Sequence, residues 1–370
     1  MKLKKLFAGI VAVAMMATMA APAFASTKPS TKDSGISGKN PGETFTMIKE
    51  YDLDGVGTSP KETFKFKVEG AFVQKTPSVV TKENMPMISV SSVEFNAGDA
   101  GKTDGDAYKK NITVTLGNYT RVGVYAYYVT EVDNKTLGVT YDPKPVGVVV
   151  TVTNNDEDAA DYATHPLKCT VALHRETTTG EKIVANTEAA FTNTYTANGL
   201  TLTKKVGGNM GDKEQDFNFT VTFNKSTDDA AKTWVNALTS KHGNTEKTIT
   251  NNGGNSYTFT LKHGEHVEFG NLPAGLTYTV KENVANLGGE DYDTYLGTTA
   301  AENKLTAERG TMNHTGTATK DKAEVTYINT LGTVIDTGVI LDNAPYIALL
   351  TIVAAGAVVM ILKKRRNYED

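Results

Sequence analysis

Residues 43–51 read ETFTMIKEY, and residues 199–206 read GLTLTKKV. Side chains alternate faces along a strand, so Phe45, Met47, Lys49 and Tyr51 share one face. Leu200, Leu202, Lys204 and Val206 do the same in the second stretch. In each, a lysine takes a place that the pattern assigns to a core. A lone lysine of this kind is ordinarily a rim residue whose stem is covered while its amine reaches water. Recurrence asks for another account.

Working outward, three more strand-like segments recur in the same order. ETFKFKV (62–68) is answered by QDFNFTV (215–221), YYVTE (127–131) by YTVKE (278–282), and AFTNTY (190–195) by VTYINT (325–330). Glu131 continues the face of Tyr125, Tyr127 and Val129, and Glu282 that of Leu276, Tyr278 and Val280. Asn193 lies between Phe191 and Tyr195, and Asn329 between Tyr327 and Leu331. Lysine, glutamate and asparagine thus recur at core positions in both halves. A buried lysine without a partner costs several kcal/mol, so the three residues of each half are expected to meet.

Together they can condense. A lysine amine can attack an asparagine carboxamide, expel ammonia and leave an amide crosslink. Burial lowers the lysine pKa and raises that of the glutamate, giving a neutral nucleophile and a protonated acid that polarises the carbonyl and shuttles protons. Contact supplies the high effective concentration of an intramolecular reaction. The segments are rich in Thr, Asn, Gly, Val and Tyr, with one short helix expected over 228–241, so the fold class is all-β: two β-sandwiches in tandem. The boundary is placed near Ala197-Asn198, giving an N-terminal domain over 43–197 and a C-terminal domain over 198–331.

The single cysteine, Cys169, rules out an intrachain disulfide. A crosslink from first to last strand would close a loop of over a hundred residues, worth about 5 kcal/mol by loop entropy. It would serve an exported protein where a disulfide otherwise would, and both ends of the chain point to export. MKLKK, then LFAGIVAVAMMATMA, then Ala23-Phe24-Ala25 form a signal peptide over 1–25. Residues 26–42, Gly/Ser/Pro-rich, are expected to be a flexible leader. At the other end, the uncharged run 346–362 would span roughly 25 Å as a transmembrane helix, and Lys363, Lys364, Arg365 and Arg366 follow it.

With those residues in place, the chain resembles the backbone (major) pilins of Gram-positive bacteria, of the two-domain streptococcal type. The resemblance implies Ig-like sandwiches, each with an intramolecular isopeptide bond: Lys49 to Asn193 assisted by Glu131, and Lys204 to Asn329 assisted by Glu282. It also implies a sorting signal over 332–370. Val334, Ile335, Asp336, Thr337 and Gly338 match the sortase pentapeptide, without its usual proline, and cleavage is expected between Thr337 and Gly338. The family places the acceptor lysine shortly before the last strand of the first domain, where Lys182 lies beside the turn-forming Gly180. Lys144, in Tyr141-Asp142-Pro143-Lys144, is the runner-up. The implied partners are other copies of the chain, a pilus-type and a cell-wall sortase, and minor or tip pilins. The implied location is a wall-anchored pilus on the cell surface. The alternative is a monomeric sortase-anchored adhesin.

Other signals carry less. Net charge is −4 with no basic stripe, so nucleic acid is not an expected partner. GGNMGDK (207–213) lacks the Gly-Lys-Ser/Thr of a phosphate loop and precedes a strand, so it reads as a turn. His263 and His266 have no further ligands nearby in sequence and read as exposed loop residues. Asp52-Leu53-Asp54-Gly55 has the wrong glycine spacing for a calcium loop. No metal, cofactor or external substrate is expected; the only catalysis is each domain's own crosslink.

Overall fold

The computed structural model describes residues 36–76, 79–102, 108–177, 180–184, 188–224, 239–241, 249–253, 255–283, 292–297, 304–305, 311–319 and 321–332. The signal peptide, the pentapeptide 334–338 and the apolar run 346–362 lie outside them. Among the described residues every regular element is a strand. In chain order these are β1 (Ile36–Lys39), β2 (Thr44–Gly55), β3 (Glu62–Phe64), β4 (Phe66–Gln74), β5 (Ser89–Val90), β6 (Val93–Phe95), β7 (Lys109–Thr115) and β8 (Gly123–Glu131). Then come β9 (Val139–Thr140), β10 (Val146–Asn154), β11 (Leu167–Thr177), β12 (Gly180–Val184), β13 (Ala189–Gly207), β14 (Phe217–Asn224) and β15 (Thr239–Lys241). The series closes with β16 (Thr250–Asn251), β17 (Ser256–Leu261), β18 (His266–Pro273), β19 (Thr277–Asn283), β20 (Asp293–Leu296), β21 (Thr311–Thr317) and β22 (Ala323–Thr330).

The alternation read from the sequence decides which faces are covered. Phe45, Met47, Lys49 and Tyr51 of β2 are all buried, while the residues between them are not. These face a six-stranded sheet of order β1-β11-β10-β8-β4, with β12 also paired to β11, whose inward valines and tyrosines complete the first core. A five-stranded sheet, β16-β17-β14-β19-β21, covers a second core that contains Leu200, Leu202 and Val206.

The two cores share a strand. β13 lies beside β2 in parallel from Ala189 to Ala197, then beside β22 in parallel from Leu200 to Gly207. Ala197 belongs to the first core and Leu200 to the second, so the chain crosses between cores without leaving the extended conformation. The expected boundary therefore falls inside a strand and not in a linker. The joint is reinforced from both sides: the Thr58 amide donates to Asn271 Oδ1 at 2.6 Å, and Ala274 N donates to Thr196 O at 2.9 Å. Gly138 is wedged there at φ +79°, where a Cβ would sit 2.8 Å from the Tyr195 ring and 2.9 Å from Pro273.

Two expectations need correction. The leader is not wholly free, because Ile36–Lys39 pairs with β11, Lys39 opposite Cys169. The expected helix does not reach Lys241: Thr239–Lys241 is a strand that fills the hydrogen-bonding edge of β18, Thr239 opposite Gly270. Residues 225–238 lie outside the described residues.

Candidate functional site: two buried Lys/Glu/Asn clusters

Parallel pairing with a shared stagger brings each lysine to its asparagine. Lys49 on β2 is opposite Phe191 on β13, and Asn193 comes two residues further along. Lys204 on β13 is opposite Tyr327 on β22, and Asn329 again comes two residues later. The glutamate arrives from the facing sheet, Glu131 at the end of β8 and Glu282 near the end of β19. The side chains of both lysines and both glutamates are wholly buried, as are Asn193 and Asn329.

In the second cluster, Lys204 Nζ lies 2.7 Å from Glu282 Oε1, and the same oxygen accepts from Asn329 Nδ2 at 3.0 Å. The carboxyl thus touches both the attacking nitrogen and the nitrogen that must leave. This differs from the expected contact of the glutamate with the carboxamide oxygen, and it suits proton transfer from one nitrogen to the other. In the first cluster, Lys49 Nζ lies 3.4 Å from Glu131 Oε1. The other carboxyl oxygen, Oε2, accepts from the Asp142 amide at 3.0 Å, and Asn193 Oδ1 accepts from that same amide at 3.1 Å.

Burial sets the protonation. Desolvation pushes Lys49 down to about 8 against the pull of Glu131, and Lys204 down to about 8 against that of Glu282. Burial likewise raises both glutamates above the ordinary carboxylate range, with the facing lysine opposing it. The arrangement brings an amine that gives up its proton more readily than a free lysine, and an acid that holds its proton more tightly than a free glutamate, to one carboxamide.

Sequence reasoning missed two contributions. The Phe-x-Phe segments floor the lysines: Lys49 Nζ is 4.4 Å from the Phe64 ring centre and Lys204 Nζ 4.1 Å from that of Phe217. Their recurrence in both halves was the available signal. Asp142 was noted only as part of an imperfect acceptor motif. Its carboxylate pairs with Arg175 and accepts from the Lys144 and Thr192 amides, a turn that its Asp-Pro sequence foreshadows.

A third Lys/Glu/Asn set provides contrast. Lys168 Nζ lies 2.8 Å from Asn40 Oδ1, and Asn40 Nδ2 donates to Glu43 Oε1 at 2.7 Å. Here the lysine is a quarter exposed and also pairs with Asp161 at 2.6 Å. Glu43 is held below its ordinary value, mainly by its bonds from Asn40. The residue types are those of the buried clusters, but this set lies at the surface, and its acid is shifted down where Glu131 and Glu282 are shifted up.

The remaining candidates are placed as follows. Lys144 is exposed, in the loop before β10. Lys182 lies in β12 opposite Arg175, in a hairpin arm two residues after Gly180. His263 is exposed as expected, yet its Nδ1 accepts from the Val206 amide at 2.8 Å, while His266 opens β18. Asp52 and Asp54 lie on strand β2. Residues 207–213 turn away from β13, with Met210 N bonded to Leu331 O.

Two family models and several known proteins resemble the chain. Residues 38–196 match a family model described as a Spy0128-like isopeptide containing domain. Residues 198–331 match a model described as a domain of unknown function. The chain is 28% identical over 337 residues to a protein of Streptococcus pyogenes serotype M1 named pilin, covering 87% of this chain and 91% of that one. Its fold is similar to that of the major pilin protein (T3.2) from Streptococcus pyogenes, with TM-score 0.52 and 21% identity over 80% of this chain and 99% of that one. A second major pilin structure from the same species gives TM-score 0.46 and 24% identity, over 80% and 100% of the two chains.

Proposed function

We infer that this chain, similar over both cores to streptococcal pilins, is the repeating structural subunit of a covalent surface pilus, stiffened by two crosslinks that it makes itself. The observation that carries this reading is the duplicated buried cluster: the same three residue types, on the same parallel stagger, in two cores of different sequence. Lys49 condenses with Asn193 under Glu131, and Lys204 with Asn329 under Glu282. Each reaction forms one amide and releases one ammonia, and no external substrate is consumed.

The shared strand gives the crosslinks a mechanical use. β13 carries both Asn193 and Lys204, so the two bonds are joined by one stretch of extended backbone. Load entering at Lys182, just before β13, would run along it, cross from Lys204 to Asn329 and leave near Thr337. Neither sheet would have to unzip.

Assembly needs an electrophile and an acceptor. The reading assigns these to the Thr337 carbonyl, released by a pilus-type sortase, and to the Lys182 amine of the next copy. A cell-wall sortase would then anchor the finished polymer. Lys182→Arg keeps the charge but removes the acyl acceptor. Cells carrying it should export and crosslink the subunit internally, yet show monomers on a blot where the parent shows a ladder. Thr337→Ala should do the same. A ladder that survives Lys182→Arg and vanishes in Lys144→Arg moves the junction to Lys144. A single wall-bound band in the parent would favour a monomeric adhesin.

A further inference from the structure

We propose that the main-chain amide of Asp142 is the oxyanion-binding donor for the first-domain crosslink, and that the Asp142 side chain, clamped by Arg175, is the residue that positions it. This rests on the crosslinking chemistry proposed above. The amide lies 3.1 Å from Asn193 Oδ1 and 3.0 Å from Glu131 Oε2, so it bridges the electrophile and the acid. Four contacts hold it there. The Asp142 carboxylate pairs with Arg175, whose other nitrogen donates to Ala190 O at the start of β13. The same carboxylate accepts from Thr192 N on β13 and from Lys144 N within its own turn. The loop is thereby tied to the strand that carries Asn193, one residue from the reacting carboxamide.

The chemistry places a demand there. When the neutral Lys49 amine adds to Cγ of Asn193, the carbonyl pair moves onto Oδ1. The Asp142 N–H stabilises that charge. Glu131 takes a proton from the attacking nitrogen and delivers one to the departing nitrogen. The Cγ–Nδ2 bond breaks, ammonia leaves, and the Lys49–Asn193 amide remains. Glu131 ends as it began, and no oxidant or cofactor is consumed. The second domain is built differently: Asn329 Oδ1 is buried with no hydrogen-bond partner among the described residues. Its acid, Glu282, instead holds the amine and the leaving nitrogen on one oxygen.

The second domain is therefore an internal control. The chain is made in a cell-free system, and ammonia loss from each domain is timed by mass spectrometry of crosslinked peptides, with near-UV dichroism and limited proteolysis reporting folding. Loss of one oxyanion donor typically slows acyl chemistry by roughly 10²- to 10³-fold. Asp142→Ala loosens the donor without deleting it, so a slowing of on the order of tenfold or more is expected in domain one, with domain two at the parental rate. Asp142→Asn, which keeps the acceptor oxygen but not the charge for Arg175, should fall between the two. Parental kinetics in domain one of folded Asp142→Ala would overturn the proposal. Should that variant fail to fold, Asp142→Asn decides: slowed crosslinking in domain one alone supports the assignment, and an unchanged rate refutes it. Absence of ammonia loss from the parent chain would instead sink the crosslinking reading on which this rests.

Discussion

Lys204 stands two residues out of register with Asn329 across a parallel strand pair, and both side chains end on one oxygen of Glu282. In a flat parallel ladder, residues directly opposite each other already claim the shortest side-chain contact. A two-residue stagger lets a long lysine reach along the strand to a short asparagine on the same face. Lys49 and Asn193 repeat the stagger, so it is a property of the site and not of one domain.

Removing either acid should cost one crosslink each. Glu131→Ala and Glu282→Ala leave the strands their apolar faces, so the fold should form, but proton transfer is lost. Each variant should retain one extra ammonia of mass and lose protease resistance in the affected domain, because an uncrosslinked domain opens more readily. A Glu282→Ala chain that still crosslinks Lys204 to Asn329 would remove Glu282 from the mechanism.

Lys204→Met separates the crosslink from the cluster's electrostatics. Methionine keeps much of the volume over Phe217, and Glu282, already raised by burial, can be buried neutral. The domain should fold without its crosslink. A loss of about 5 kcal/mol of loop entropy corresponds to a fall in melting temperature on the order of 20 °C for a domain of this size. An unchanged melting temperature, read by calorimetry, would deny the crosslink its stabilising role.

The pH profile of crosslinking follows from the shared proton. Below the raised pKa of Glu282 both groups are protonated, and Lys204 is an ammonium without a lone pair. Between that value and about 8 the pair holds one proton, and the reactive form, neutral lysine beside protonated glutamate, is accessible. Above about 8 that proton is lost and Glu282 cannot deliver it to ammonia. The rate of ammonia loss after synthesis should therefore be bell-shaped, falling on the alkaline side through about pH 8. A rate that keeps climbing tenfold per pH unit into the alkaline range would show that the lysine acts without a protonated partner.

The exposed set Lys168, Asn40 and Glu43 should stay unlinked. It has the contacts but not the burial: Lys168 is a quarter exposed and paired with Asp161, and the bonds from Asn40 favour the ionised form of Glu43. Tryptic mapping should recover Lys168 and Asn40 in separate peptides. Finding them joined would show that proximity, and not burial, drives the reaction.

Much of this was legible because β-strand periodicity is two: once Lys49 and Lys204 were counted onto apolar faces, their burial followed, and Glu131, Glu282, Asn193 and Asn329 followed by the same count. What stayed hidden was what period two does not encode. Nothing in GLTLTKKV says that its strand begins ten residues earlier in the other core, so the boundary at Ala197-Asn198 was legible but the strand running through it was not. The Asp142 amide donates to Asn193 Oδ1 and Glu131 Oε2, and although Asp-Pro marks a turn, nothing in the sequence says which buried acceptors a main-chain N–H will reach. Thr239–Lys241 sits at the end of a helix-like stretch but is claimed by the open edge of β18, a tertiary effect that overrides local propensity.

The most direct test of the account is the intact mass of a soluble fragment spanning Ser26 to Thr330, purified under native conditions and then denatured. Two condensations remove two ammonia molecules, so the mass should fall short of the sequence mass by that amount, with Lys49–Asn193 and Lys204–Asn329 recovered as branched peptides after digestion. A mass equal to that of the sequence would contradict the account.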